Sequence, residues 1–365
     1  MKIVFTGGGT AGHILPNIAL IEEILATRPS WSVVYLGSKG GLEKELLSGY
    51  AVPFYSIYTG KLRRYFSLQN VLDGFKFIAG IVQSLWYLYK IKPAVIFSKG
   101  GYVGLPVTIA AKALKVPVIV HESDLSPGLA NRLAFPWAAK ILLAFQPEVP
   151  TTKAALKAKT KVVGLPMRQG FKHEGLKASS ADYWFNASAS TKPMLLIFGG
   201  SLGAAAINEA VRTILPQLLK SFRVLHVCGH NGVDATLNDP DYKQYEFIGK
   251  LFPAAIKAAD VIVSRAGATS IYEFLYLNKL HILVPLETNS SRGDQLINAR
   301  YFENKGSSVV LKQGEWLNKP TLLLEKLAYL KEHQQQIQDA LHKLSFKDAT
   351  PDILDIIAQT ASVTL

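Results

Sequence analysis

A histidine set just beyond a run of glycines, in Gly7-Gly8-Gly9-Thr10-Ala11-Gly12-His13, is the first constellation of this chain whose residue types could do chemistry. Glycines permit positive φ and let a ligand come close to the backbone. The helix that follows offers free N–H groups and the positive end of its dipole. His13 at such a helix start has an intrinsic pKa suited to a general base near neutrality. The same side chain could instead bond locally and organise the loop. The stretch lacks the regular dinucleotide spacing, and no acid stands about 20 residues on at the end of a second strand, which disfavours NAD.

Further loops of the same kind follow. Ser98-Lys99-Gly100-Gly101-Tyr102 leads to Leu105-Pro106, and its lysine reads as a solvated loop side chain. His121-Glu122-Ser123-Asp124 runs through Pro127-Gly128 to Asn131. In the second half, Gly199-Gly200-Ser201-Leu202-Gly203 is another turn suited to cradling an anion. Ser264-Arg265-Ala266-Gly267-Ala268-Thr269-Ser270-Ile271-Tyr272-Glu273 ends a strand, turns, and sets a carboxylate on a new helix. Such an acid can accept hydrogen bonds from a ribose diol, or it can be an ordinary helix-compatible glutamate. Asp294-Gln295-Leu296-Ile297-Asn298 offers amides suited to sugar hydroxyls, or is a polar helix start.

These loops need strands to present them. Apolar runs at Lys2–Thr6, Val33–Leu36, Phe54–Ile57, Ala94–Ser98, Val116–His121 and Ile141–Ala144 alternate with helical stretches. The second half repeats the pattern at Met194–Phe198, Arg223–Cys228, Tyr245–Ile248, Val261–Ser264, His281–Val284 and Ser308–Leu311. Continuous apolar strands separated by helices predict an α/β protein with parallel sheets covered on both faces. At 365 residues the chain suits two domains. They are read as 1–165 and 166–349, with the C-terminal helix at about 350–365 packing back on the first. The polar, Ser-rich segment 170–193 reads as the hinge region.

One cysteine, Cys228, excludes an intramolecular disulfide framework and fits a reducing compartment. The start of the chain enters a strand without a signal-peptide pattern. The net charge of +13 is uneven: residues 1–165 carry 19 Lys+Arg against 8 Asp+Glu, and residues 166–365 carry 21 against 19. A basic half implies an anionic partner. No zinc-finger spacing or RNP motif is present, so nucleic acid is not the expected one.

The apolar stretch Phe77–Tyr89 is shorter than the roughly 20 residues needed to span a bilayer. Around it, residues 71, 75, 78, 82, 85 and 89 form one helical stripe, read as a core face. Phe77, Ile81 and Leu88 form a second, with Trp86 also outside the first. With Lys61, Arg63, Arg64, Lys76, Lys90 and Lys92 around it, this second stripe is the expected face toward an anionic membrane surface.

Seven strings, GGGTAGH, GGYVGLP, HESDLSPGLANR, GLPMR, GGSLGA, SRAGATSIYE and DQLINA, occur in order along nearly the whole chain. Together they resemble the bacterial lipid-linked N-acetylglucosaminyltransferases of glycosyltransferase family 28, which convert lipid I to lipid II in peptidoglycan synthesis. The resemblance implies a GT-B fold, two Rossmann-like domains with parallel sheets facing across a cleft. It implies UDP-GlcNAc in the C-terminal domain and a lipid-linked MurNAc-pentapeptide acceptor at the N-terminal one, on the cytoplasmic face of the plasma membrane. Carried over residue by residue, Arg168 and Ser201 would meet the donor diphosphate, and the backbone of Ile248 the uracil. Ala268, Thr269, Ser270, Ile271, Tyr272 and Glu273 would surround the nucleotide, with Glu273 on the ribose and Gln295 on the GlcNAc hydroxyls. Thr10, Ala11 and Gly12 would approach the donor sugar, with Asn131 and Asp124 nearby. Ala11 stands where many members have glycine, and Asp124 where an asparagine is usual.

The implied reaction is an inverting displacement, in which base and leaving group lie on opposite faces of the sugar. The base must then come from the acceptor side, where His13 is the first candidate and Glu122 the reserve. There is no Asp-x-Asp motif, and no obligatory metal or other cofactor is expected. Rival readings are a GT-B enzyme with a diacylglycerol acceptor and a UDP-sugar epimerase.

Overall fold

The computed structural model describes residues 1–60, 68–147, 154–172, 177–185, 190–200, 203–287 and 293–362, with only the backbone for 68–72. Two compact units emerge: residues 1–169 with 348–365, and residues 170–347.

The first unit is built on a seven-stranded parallel sheet, β1 (Lys2–Thr6), β2 (Ser32–Ser38), β3 (Phe54–Ile57), β4 (Val95–Ser98), β5 (Val118–Glu122), β6 (Lys140–Leu143) and β7 (Thr160–Val162), in the order β3-β2-β1-β4-β5-β6-β7. The central strands are apolar throughout because helices cover both faces. One face buries Ile14, Ile18 and Ile21 of α1 (Ala11–Thr27) with Ile353 and Ile357 of the last helix, Thr350–Ser362. Each such side chain removed from water contributes about 1.5–3 kcal/mol. The other face carries α3 (Leu68–Ile91) and α4 (Gly101–Ala113), with Leu88, Leu105 and Val107 in the core; α2 (Leu42–Leu47) follows β2. The last helix is tied in by Asp348, whose carboxylate accepts from Met167 N–H at 2.9 Å, and by Ala349 N–H donating to Leu165 at 3.1 Å.

The second unit has a six-stranded parallel sheet, β8 (Met194–Phe198), β9 (Arg223–Val227), β10 (Tyr242–Tyr245), β11 (Val261–Ser264), β12 (Leu280–Leu283) and β13 (Val309–Val310), ordered β10-β9-β8-β11-β12-β13. Two Rossmann-like parallel sheets are thus present, as the alternating apolar runs predict.

Segment 170–193 is not a solvated hinge in its described part. Phe171, Ala178, Trp184 and Phe185 are buried in the second unit, and Asp182 pairs with Arg223 at 3.0 Å. The aromatic residues in that polar stretch have more apolar surface to hide than its serines have reason to stay exposed.

Candidate active sites of the two units

In each sheet the strand order reverses once, between β1 and β4 in the first unit and between β8 and β11 in the second. Helices leave to opposite faces at such a point, so a crevice opens beyond the carboxyl ends of the two strands, and open α/β sheets bind ligands there. Gly7–His13 and Ser98–Tyr102 lie at the first reversal, Gly199–Gly203 and Ser264–Glu273 at the second.

At the first reversal Thr10 is the residue preceding α1, but its side chain makes no helix-capping bond. Its hydroxyl instead meets Nδ1 of His13 at 3.1 Å. When Nδ1–H donates to Thr10, Nε2 keeps its lone pair and the imidazole can take a proton. If Thr10 donates, Nε2 carries the hydrogen and cannot. The two readings of His13 therefore meet: the local bond exists, and it fixes which nitrogen would act. His13, Ala11 and Gly12 are half-buried, and Thr10 is exposed.

Glu122 is only 2 % exposed and both oxygens of its carboxylate accept hydrogen bonds. It accepts from Asp124 N–H at 2.9 Å, from Gly128 N–H at 3.0 Å and from the Asn131 amide at 2.9 Å. These three bonds tie the β5–α5 loop (α5, Leu129–Ala134) together around Glu122. Asn131 is buried beneath that loop against Gly100. Asp124 is half-buried.

Lys99 is not solvated. It is fully buried below the glycine loops and donates to the Ser123 hydroxyl at 2.6 Å. Burial pushes its ammonium down to about 7, against the pull of Glu122 and Asp124. His121 beside it donates from Nε2–H to the Gly164 carbonyl at 3.0 Å, and burial together with Lys99 holds its pKa well below the ordinary value. An unfolded lysine keeps its proton up to about 10.5, so between about pH 7 and 10 the unfolded chain binds the extra proton and stability rises with pH. The expected result for Lys99→Met is loss of that rise, by up to about 1.4 kcal/mol per pH unit. Urea unfolding of both proteins from pH 7 to 10 measures it, and parallel pH dependences would refute it.

Arg168 lies in the first unit, outside the domain 166–349 in which its diphosphate role is expected. The segment is bound there because Gln169 N–H donates to Glu22 at 3.2 Å and its side chain to Glu23 at 2.8 Å. Arg168 neighbours Tyr50, whose hydroxyl donates to Glu22 at 2.5 Å.

At the second reversal the Ala268–Tyr276 helix starts after Gly267 with no side-chain cap and no acid in its first turn. The amides of Ala268, Thr269 and Ser270 are then the orphan donors of a helix start, suited to an anion. Glu273 follows on the second turn, 5 % exposed. Ile271 and Tyr272 do not present side chains to a ligand. Both are in the core, and the Tyr272 hydroxyl donates to the Lys347 carbonyl at 2.7 Å. The Tyr272 ring packs edge-on against Phe346, with centroids 4.9 Å apart.

Gln295, half-buried, spends its carbonyl on Leu286 N–H at 3.1 Å. Ile248 is half-buried before a short 3-10 turn, its carbonyl accepting from Leu251 N–H at 2.9 Å. Ser201 lies outside the described residues. Two organisers went unread in the sequence: Arg265 donates to Val284 at 3.3 Å, and Asn298 donates to Ala266 at 3.2 Å, clamping the turn before the helix. The arginine directly before Ala266-Gly267 was the available signal.

On α3 the stripe containing Leu88 turns inward and most of the other turns outward, whereas Leu85 packs on the core and Trp86 is exposed, both as expected. Leu88 is 1 % exposed, and Phe77 and Ile81 are half-buried, Phe77 packing on the core. Phe75 (68 %), Ile78 (59 %), Val82 (60 %), Trp86 (51 %) and Tyr89 (69 %) face outward instead. Lys90 stands over the Trp86 ring at 3.9 Å, and Lys76 reaches Asp73 at 3.9 Å. Lys61, Arg63 and Arg64 lie outside the described residues, as does the side chain of Val71. Among the described residues no helix is long and apolar enough to cross a membrane.

Known proteins bear on these crevices. Residues 3–143 match the glycosyltransferase family 28 N-terminal domain and residues 194–355 its C-terminal domain. The chain is 45 % identical over 367 residues to a protein of Legionella pneumophila (strain Lens), covering 99 % of this chain and 98 % of that one. It is 42 % identical over 365 residues to one of Clostridium perfringens (strain 13), with the same coverages. Both bear the name UDP-N-acetylglucosamine--N-acetylmuramyl-(pentapeptide) pyrophosphoryl-undecaprenol N-acetylglucosamine transferase. A crystal structure of Acinetobacter baumannii MurG superposes with a TM-score of 0.74 at 24 % identity, covering 98 % of this chain and 99 % of that one, which establishes the shared GT-B fold.

Proposed function

The chain belongs to glycosyltransferase family 28, and on that premise we propose that it transfers GlcNAc from UDP-GlcNAc to the C4 hydroxyl of undecaprenyl-diphosphate-linked MurNAc-pentapeptide, with inversion. The observation that carries this reading is that each unit has its own strand-order reversal, with different chemistry at each. The second offers helix-start amides and a buried carboxylate, which suit a nucleoside diphosphate. The first offers an imidazole held by a hydroxyl, which suits a proton to be removed.

In this reading Nε2 of His13 takes the proton of the acceptor C4 hydroxyl as its oxygen attacks the anomeric carbon. Thr10 holds the required tautomer by accepting from Nδ1–H. The negative charge that develops on UDP meets the first-turn amides of the Ala268–Tyr276 helix, donors already oriented before reaction. Glu273 accepts from the ribose diol, and the Gln295 amide group meets a GlcNAc hydroxyl. Arg168 meets the donor diphosphate together with Ser201. Glu122, Asp124 and Asn131 shape the acceptor loop.

The outward stripe Phe75, Ile78, Val82, Trp86 and Tyr89, with Lys76 and Lys90, is the face by which the protein docks on the anionic cytoplasmic surface of the plasma membrane. An amphipathic helix with basic flanks adds buried apolar area to attraction for anionic lipid. The double substitution Ile78→Glu, Val82→Glu is expected to lower binding to phosphatidylglycerol vesicles at least ~10-fold while turnover of a water-soluble acceptor is kept. Undiminished vesicle sedimentation would remove this face from the reading.

The activity itself is tested with purified protein, UDP-GlcNAc and a lipid I analogue, following UDP release and disaccharide formation. UDP release dependent on diacylglycerol, or epimerisation of UDP-GlcNAc without acceptor, would replace the assignment with a rival one.

A further inference from the structure

Glu43 is a carboxylate with no exposure to solvent at all, seated in the first turn of α2. Its Oε1 accepts from Gly9 N–H at 3.1 Å, and the Ser38 hydroxyl lies 3.1 and 3.0 Å from its two oxygens. No arginine or lysine pairs with it in these contacts. A buried carboxylate is costly unless its acceptors are filled, and here a loop amide is one of the few groups filling them.

The surroundings show that the loop is built around this group. A Cβ on Gly8 would overlap the Glu43 carboxylate, and one on Gly9, whose φ is +92°, would strike the Tyr102 ring. Tyr102 is hydrogen-bonded to Ser38, so the loop is held between a carboxylate on α2 and a phenol on α4 that share one serine. Gly9 is followed directly by Thr10, whose hydroxyl holds His13. From Ser38 through Glu43 and Gly9 to Thr10 and His13, each link is a hydrogen bond or a single peptide unit.

We infer that Glu43 is a positioning residue for the reaction, acting through the Gly9 amide to fix the backbone from which Thr10 and His13 project. It touches no reacting atom. The link to turnover rests on the reading of His13 as base, whereas the hold on the loop does not. A misplacement of about 1 Å at a reacting group can cost ~100-fold in rate, so a residue remote from the substrate can govern kcat.

The test compares the full chain with Glu43→Ala, Glu43→Gln and the milder Ser38→Ala, by hydrogen exchange over residues 7–13 and by steady-state kinetics. Glu43→Ala is expected to speed exchange at Gly9 at least ~10-fold through local opening. Its kcat should fall ~10- to 100-fold with the KM for UDP-GlcNAc held within about twofold. Glu43→Gln, whose amide oxygen can still accept from Gly9, should restore most of both. Ser38→Ala should fall between, and it keeps the test alive should Glu43→Ala not fold. Unchanged Gly9 exchange in the folded variants, or a kcat loss that Glu43→Gln fails to restore, overturns the proposal. If exchange rises as expected while His13→Ala turns over normally, the loop-holding role stands and the base assignment is what fails.

Discussion

Replacing His13 with alanine is expected to lower kcat ~10²- to 10⁴-fold while leaving the KM for UDP-GlcNAc within about twofold, the signature of a lost proton acceptor. The reason is the division of labour between the units. In the proposed reading the donor's recognised groups fall to residues of the second unit, so a change at residue 13 removes an interaction made as the acceptor oxygen loses its proton. Thr10→Val supplies the companion measurement. Without the hydroxyl, Nδ1 loses the partner that selects the tautomer, and kcat should fall by a smaller factor with the pH–rate profile displaced. Turnover near that of the wild type in His13→Ala would end the base assignment and pass it to Glu122, the reserve candidate.

Glu273→Ala is expected to act on the other term, raising the KM for UDP-GlcNAc and the Kd for UDP ~10- to 100-fold with a smaller change in kcat. A hydrogen bond to a charged group contributes about 1.5–3 kcal/mol, which sets that range. The side chain is almost wholly buried on the second turn of its helix, so its removal also leaves a small void. Circular dichroism and thermal unfolding separate that effect from lost recognition. Titration of UDP by calorimetry reads the affinity directly, and comparison with TDP, whose deoxyribose lacks the 2′-hydroxyl, isolates the diol. Equal losses for both nucleotides would place Glu273 away from the ribose.

The two sheets were legible because their strands are continuous apolar runs bounded by glycine turns, a pattern that burial on both faces imposes. Where that pattern thins, the reading slips. The run Tyr245–Ile248 ends the sequence search too late: the strand is Tyr242–Tyr245, whose Lys243 and Gln244 look like a loop. β7, with only Val162 apolar, is invisible as an edge strand. The glycine crevices were legible for the opposite reason, since few packing demands put so many glycines at strand ends. What could not be read was the direction of side chains. Helical periodicity finds two apolar stripes on α3 but does not say which of them meets the sheet, and the structure chose the one containing Leu88. Lys99 defeats composition altogether, because a fully buried lysine is acceptable only where a specific partner, here Ser123, lies within reach.

The last helix, Thr350–Ser362, completes a core whose other members were made before any of the second unit. On the ribosome the first unit must therefore wait, with Ile14, Ile18 and Ile21 lacking their final cover, while the whole second unit is synthesised and can fold by itself. The nascent first unit is the species most in need of a chaperone, and a stop codon shortly before Thr350 would leave a folded second unit attached to an unsealed first one.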